Sequence, residues 1–133
     1  MPRARSEAET RGERGHEAET AAAAWLEEQG FHVLARNHAT KVGEVDLVCS
    51  EGETLCFVEV RSRASEMLGT PAETISREKA RRVARAAEDW AHRNGATERE
   101  TRFDVVAVTL SDGRQTFELI RGAFDSDGDT RLW

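Results

Sequence analysis

The stretch Gly43-Glu44-Val45-Asp46-Leu47-Val48-Cys49-Ser50-Glu51-Gly52-Glu53-Thr54-Leu55-Cys56-Phe57-Val58-Glu59-Val60-Arg61 decides how this chain reads. Residues 45–49 and 55–60 are two β-rich runs, and Ser50-Glu51-Gly52-Glu53 between them carries turn chemistry. The pair therefore reads as a hairpin. Two carboxylates interrupt it, Asp46 and Glu59. Strand interiors disfavour Asp, and an unpaired buried carboxylate is expensive. A cation, an arginine or a shifted pKa must compensate. With Ser50 opposite Glu53, Asp46 falls opposite Phe57, and Glu59 becomes its diagonal neighbour on the same face. Diagonal Cβ separations are about 7–8 Å or somewhat less, so both carboxylates reach one ion between them. A slip of one residue would send them to opposite faces. Glu59 and Arg61 share a face in any register, because strand side chains repeat every two residues.

Asp46, Glu59 and the backbone carbonyl of Val60 make a hard oxygen site, which suits Mg²⁺ or Mn²⁺ and not zinc. An ion held there orients a water and polarises a phosphate. Arg61, a cation one pleat along, would hold the scissile phosphate and offset charge in the transition state. The competing reading is an Asp/Glu/Arg network that only stitches the sheet, since such networks perturb pKa values too.

Outward from the hairpin, the chain alternates helical and strand periods. Ala18, Ala21, Ala22, Trp25 and Leu26 form one apolar stripe of a helix over residues 15–29, stopped by Gly30. A short apolar strand follows over 31–35. Ser76 caps a second helix over 77–94, whose stripe is Ala80, Val83, Ala84, Ala87, Trp90 and Ala91. Two strands close the chain, 102–110 and 115–121, around the turn Ser111-Asp112-Gly113. The order α-β-β-β-α-β-β implies an α/β fold, a mixed sheet flanked by helices.

The 133 residues suit one domain; 38% are hydrophobic and 33% charged, enough for one modest core. Residues 1–14 show no core face and read as a mobile arm, 15–124 as the domain, and 125–133 as a solvated tail. Asp125-Ser126-Asp127-Gly128-Asp129 resembles the start of a calcium loop but lacks the glutamate that such a loop needs further on. No apolar run reaches membrane-spanning length, and the charged N-terminus has no secretory h-region. Two cysteines make neither a disulfide scaffold nor a zinc site, so a reducing cytoplasm is the expected setting. Net charge is −6, against the usual basic signature of nucleic-acid binding. Lysine occurs only at Lys41 and Lys79; the other basic residues are arginines, suited to phosphate but equally a matter of genome composition.

Gly-Glu-Val-Asp-Leu-Val (43–48) followed by Phe-Val-Glu-Val-Arg-Ser-Arg (57–63) resembles the signature of the YraN family, small bacterial proteins with a restriction-endonuclease-like fold. Gly15, Glu19, Ala22, Trp25-Leu26, Gly30, Arg36-Asn37, Lys79, Arg102-Phe103-Asp104-Val105-Val106 and Ala123-Phe124 extend the resemblance over residues 15–124. It implies a PD-(D/E)XK nuclease core in which Asp46 and Glu59 bind magnesium and Glu19 is an accessory acid. Glu44 is a further acidic position on the face of Asp46. The superfamily's lysine position is Arg61 here. Arginine does not release its proton at usable pH, so it is no general base, though it can bind phosphate bidentately. Lys79 is the lysine placed to substitute. Superfamily resolvases act as dimers, so a homodimer is one arrangement that the resemblance implies.

The second helix carries Arg77, Lys79, Arg81, Arg82, Arg85 and Arg93 against Glu78, Glu88 and Asp89, so its N-terminal two turns are a locally basic patch able to track a phosphate backbone. Its competing reading is an ordinary solvated helix. Three functions stand against one another. One is a metal-dependent nuclease acting on DNA, branched DNA included. The others are a non-catalytic nucleic-acid-binding module of the same fold, and a partner-binding protein with a structural acidic cluster.

Overall fold

The computed structural model describes residues 7–64 and 75–130. Its elements are α1 (Glu7–Glu28), β1 (His32–Ala39), β2 (Glu44–Glu51), β3 (Thr54–Ala64), α2 (Arg77–Arg93), β4 (Thr101–Ser111) and β5 (Arg114–Phe124). This is the expected order. The strands form one mixed sheet in the order β1-β2-β3-β4-β5. All neighbours are antiparallel except β3 and β4, which run parallel because α2 carries the chain back between them.

Each helix covers one face. Ala18, Ala22 and Leu26 of α1 pack with Leu47, Cys49, Cys56, Val58, Val106 and Val108. Ala80, Val83 and Ala87 of α2 pack with Val48, Leu55, Phe57 and Val105. Successive residues of β2 and β3 thus feed opposite layers, which is why both strands read as nearly continuous apolar runs. Trp25 lies at the margin of the α1 stripe and stacks on Phe117, with ring centroids 5.3 Å apart. Trp90 meets Phe57 edge-on at 6.2 Å. Ala86, outside the expected stripe, is buried with the rest of α2.

Three boundaries differ from the sequence expectation. Helix α1 begins at Glu7, inside the segment read as an arm; residues 1–6 lie outside the described residues. Strand β1 extends to Ala39, past the apolar residues 31–35. Among the described residues it pairs only with β2, so its outer edge tolerates Arg36-Asn37-His38. The start of the expected tail is docked. The Asp125 carboxylate accepts the N–H groups of Asp127 and Asp129, both at 3.0 Å. Arg77 pairs with Asp129, and Arg81 donates to the Asp127 carbonyl at 2.9 Å. Gly128 makes the docking possible: at φ 88°, a Cβ there would lie 2.5 Å from the Arg77 carbonyl oxygen. Residues 131–133 of that tail lie outside the described residues.

Cys49 and Cys56 face each other across β2 and β3. Both are free and buried, and burial pushes each thiol up to about 12. At the same end of the sheet, buried Asp104 takes Arg102 through both carboxylate oxygens, at 2.8 and 2.9 Å. It also accepts the Gly122 N–H at 2.9 Å, where the β4–β5 register shifts. The Arg-Phe-Asp element is therefore a structural tie.

Candidate functional site

The β2–β3 hairpin closes at Glu51↔Thr54 through a two-residue turn, with Gly52 at φ 58°. Ser50 therefore pairs with Leu55 and not with Glu53, two residues away from the expected alignment. The cause is that Ser50 and Glu51, polar enough to read as turn, continue the strand. A shift of two keeps the side chains of the paired residues 47–51 on their faces. The pairs run from Glu51↔Thr54 to Leu47↔Val58, so Phe57 faces Val48 and not Asp46, and the ladder ends one residue short of Asp46.

There a side chain takes over. Asp46 Oδ2 accepts the Val60 N–H at 2.9 Å, in place of a strand carbonyl. The alternation of β2 turns over at the same residue. Val45 packs in the α2 layer and Leu47, two positions on, in the α1 layer. On the other side, Arg36↔Leu47 and His38↔Val45 leave Asn37 facing Asp46, and Asn37 stands at φ 52°. Asn tolerates that left-handed conformation better than most residues. The N–H and C=O of one strand residue point to the same side, so the Val60 carbonyl faces the Asp46 side as well.

Glu59 is 1% exposed, and its Oε1 has no hydrogen-bond partner among the described residues. Burial raises its pKa well above the usual range; a hydrogen bond with the Asp46 side chain and the charge of Asp46 add to this, and Lys79 and Arg61 partly offset it. Lys79 stands half-buried in the first turn of α2, its N–H on the Ser76 cap at 3.0 Å. Arg61 is half-buried. Glu19 is half-buried on α1, whereas Glu17 is exposed. Burial raises the Glu19 pKa, as do the charges of Asp46 and Glu44; a hydrogen bond from Asn37 and the charge of Arg36 act the other way.

The structure thus brings Asp46, Glu59, Val60, Arg61 and Lys79 into one neighbourhood, with Glu19 acting on it through Asp46. Among the described residues no group of three or more His, Cys, Asp or Glu side chains could hold a metal ion, so Glu19 does not complete a triad. The donor set left is the two hairpin carboxylates and the Val60 carbonyl. Asn37, which supports Glu19, was missed as a site residue. Its only signal was an Asn just past the apolar run 31–35, a residue type that often marks a left-handed backbone position.

A family model described as "Uncharacterised protein family UPF0102" matches residues 18–108. A UPF0102 protein of Anaeromyxobacter sp. (strain Fw109-5) is 58% identical over 127 residues, 96% of each chain. A UPF0102 protein of Anaeromyxobacter dehalogenans is 56% identical over 90% of this chain and 89% of its own. One of Moorella thermoacetica is 42% identical over 86% of this chain and 98% of its own. In keeping with the YraN resemblance carried by its hairpin, the chain belongs to the UPF0102 family.

Proposed function

We propose that the protein is a metal-dependent nuclease that hydrolyses phosphodiester bonds in DNA, with branched DNA as the substrate class that the motif resemblance suggests. The observation that carries this is Glu59: a carboxylate 1% exposed, beside a second carboxylate, with one oxygen unpartnered among the described residues. Without a cation, burial and the hydrogen bond with Asp46 keep Glu59 protonated; a cation at the open oxygen is what would let both carboxylates ionise. A divalent cation held by Asp46, Glu59 and the Val60 carbonyl relieves both the burial and the repulsion. The oxygen donor set fits Mg²⁺ or Mn²⁺. The chemistry that such an ion supplies when bound is Lewis acidity toward a phosphate oxygen and acidification of water.

The chain's own residues do the rest. Arg61 offers a planar fork for a phosphate and cannot serve as base. Lys79 reaches the same neighbourhood from α2 and adds a second cation for developing negative charge. Glu19, its pKa raised on α1, is the accessory acid. The second reading, a DNA-binding module without cleavage, is favoured by one feature, the arginine in place of a lysine at position 61.

The test is thermal unfolding against Mg²⁺ and Mn²⁺ concentration, together with cleavage of duplex, single-stranded and four-way-junction DNA. Wild type should gain melting temperature as the metal is titrated, by the usual linkage of binding to stability. Asp46→Asn and Glu59→Gln should each lose that gain and any cleavage. Equal responses from wild type and both variants would falsify the metal site. A metal response with no cleavage of any substrate would select the binding module.

A further inference from the structure

The turn between β1 and β2, residues 40–43, folds on itself: the Thr40 N–H donates to the Gly43 carbonyl at 2.8 Å. The Thr40 hydroxyl accepts the Val42 and Gly43 N–H groups, both at 3.2 Å. This turn lies directly on the backbone of α2. A Cβ on Gly43 would stand 2.3 Å from the Arg82 carbonyl oxygen, an approach that only glycine permits. Between turn and helix lies a cavity of about 440 Å³, and Lys41, Glu44, Lys79 and Arg82 are its charged lining residues. The only two lysines of the chain converge there. Lys41 also lines the neighbouring cavity of about 780 Å³, with His38, Asp89 and Arg93. Lys79 in turn acts on Glu59. A largely basic trough therefore runs from Lys79 past Arg82 and Lys41 toward Arg93, with Glu44 and Asp89 along it.

We propose that this trough is the track for a nucleic-acid backbone: Lys79, Arg82 and Lys41 hold the phosphates that flank the one presented to Asp46 and Glu59. The inference rests on the nuclease reading only for which phosphate sits at the carboxylates. No Phe or Trp lines either cavity, and the lining cations suit phosphate rather than base edges, so recognition there is of phosphate and not of sequence. Of the acidic groups near the trough, Glu44 lines it, Glu78 is loosely paired and Asp89 is engaged. Glu78 lies 3.9 Å from Arg82 in an exposed i,i+4 pair, a contact easily exchanged for phosphate. Asp89 is already taken by His38 at 2.8 Å and Arg93 at 2.9 Å.

The experiment is fluorescence-anisotropy binding of a duplex DNA oligonucleotide in EDTA, over a series of salt concentrations. Lys41→Gln and Arg82→Gln change exposed side chains outside the proposed catalytic set, and Arg114→Gln, exposed at the start of β5, is the control. Each trough variant should bind about fivefold more weakly at low salt, and the slope of log affinity against log salt should fall by about 0.9. Arg114→Gln should match wild type. Trough variants that bind within twofold of wild type with an unchanged slope overturn the track, as does a wild type that does not bind duplex at all. EDTA separates this from the nuclease reading: Asp46-dependent cleavage with unchanged trough variants sinks the track alone. Weakened trough variants with no metal response sink the nuclease and leave the track standing.

Discussion

Glu51 shows what a paired carboxylate contributes to this fold. Arg121 donates to it at 2.6 and 2.9 Å and Arg102 at 2.7 Å, and these contacts, Arg121 first, hold its pKa down from the usual 4.5 to about 2. A depressed carboxylate stabilises the fold at pH above its ordinary value, and that contribution disappears as pH falls from about 5 toward 2. Arg121 is half exposed, so solvent screening leaves about 1 kcal/mol. Glu51→Gln should lose that much at pH 7 and flatten the acid limb, read by urea unfolding at several pH values; a parallel acid limb would count against the pairing. Arg61 bears on chemistry instead. Arg61→Lys should keep DNA binding and raise metal-dependent cleavage, because lysine can give up its proton when desolvated and arginine cannot. Arg61→Ala should weaken binding; a variant that binds as wild type does would remove Arg61 from phosphate contact. Asp46 and Glu59 were legible in the sequence because carboxylates inside apolar strands demand a reason. Asn37 was not, because its partner Glu19 comes from α1 and meets β1 only in the folded chain.

Among the elements, α2 is the one that neighbouring turns hold in place. Gly43 brings the β1–β2 turn onto the Arg82 carbonyl, and Gly128 brings the docked Asp125–Asp129 loop onto the Arg77 carbonyl. Lys79 lies between these two contacts. Gly43→Ala must push the turn off the helix or move the helix, since backbone cannot yield as a side-chain tip can. It should cost about 1–3 kcal/mol, typical of overpacking, and be seen as a lower melting temperature. A stability equal to wild type would mean that the close approach relaxes freely. The helices and their stripes were readable from 3.6-residue periodicity, and the element order followed. The hairpin register was not, because Ser50 and Glu51 have turn-like side chains in strand positions. Only the tight Gly52-Glu53 turn settles them. The docking of the Asp-rich loop was equally hidden, since a run of aspartates looks solvated until two arginines arrive from a distant helix.

The whole molecule is a sheet between two apolar layers, and each layer depends on one helix. Leu26 is fully buried in the α1 layer, so Leu26→Ala should cost about 2–5 kcal/mol by urea unfolding; a cost below 1 kcal/mol would mean that α1 is loosely held. The central hairpin carries a further property that reaches the test tube. Cys49 and Cys56 are sealed between β2, β3 and α1, with thiols pushed up to about 12. They present almost no thiolate at neutral pH, and thiolate is the reactive form. A thiol reagent such as a maleimide should leave the native protein untouched and modify both positions only when the hairpin opens. The labelling rate then serves as a clock for global opening, one that needs neither spectroscopic probe nor engineered cysteine.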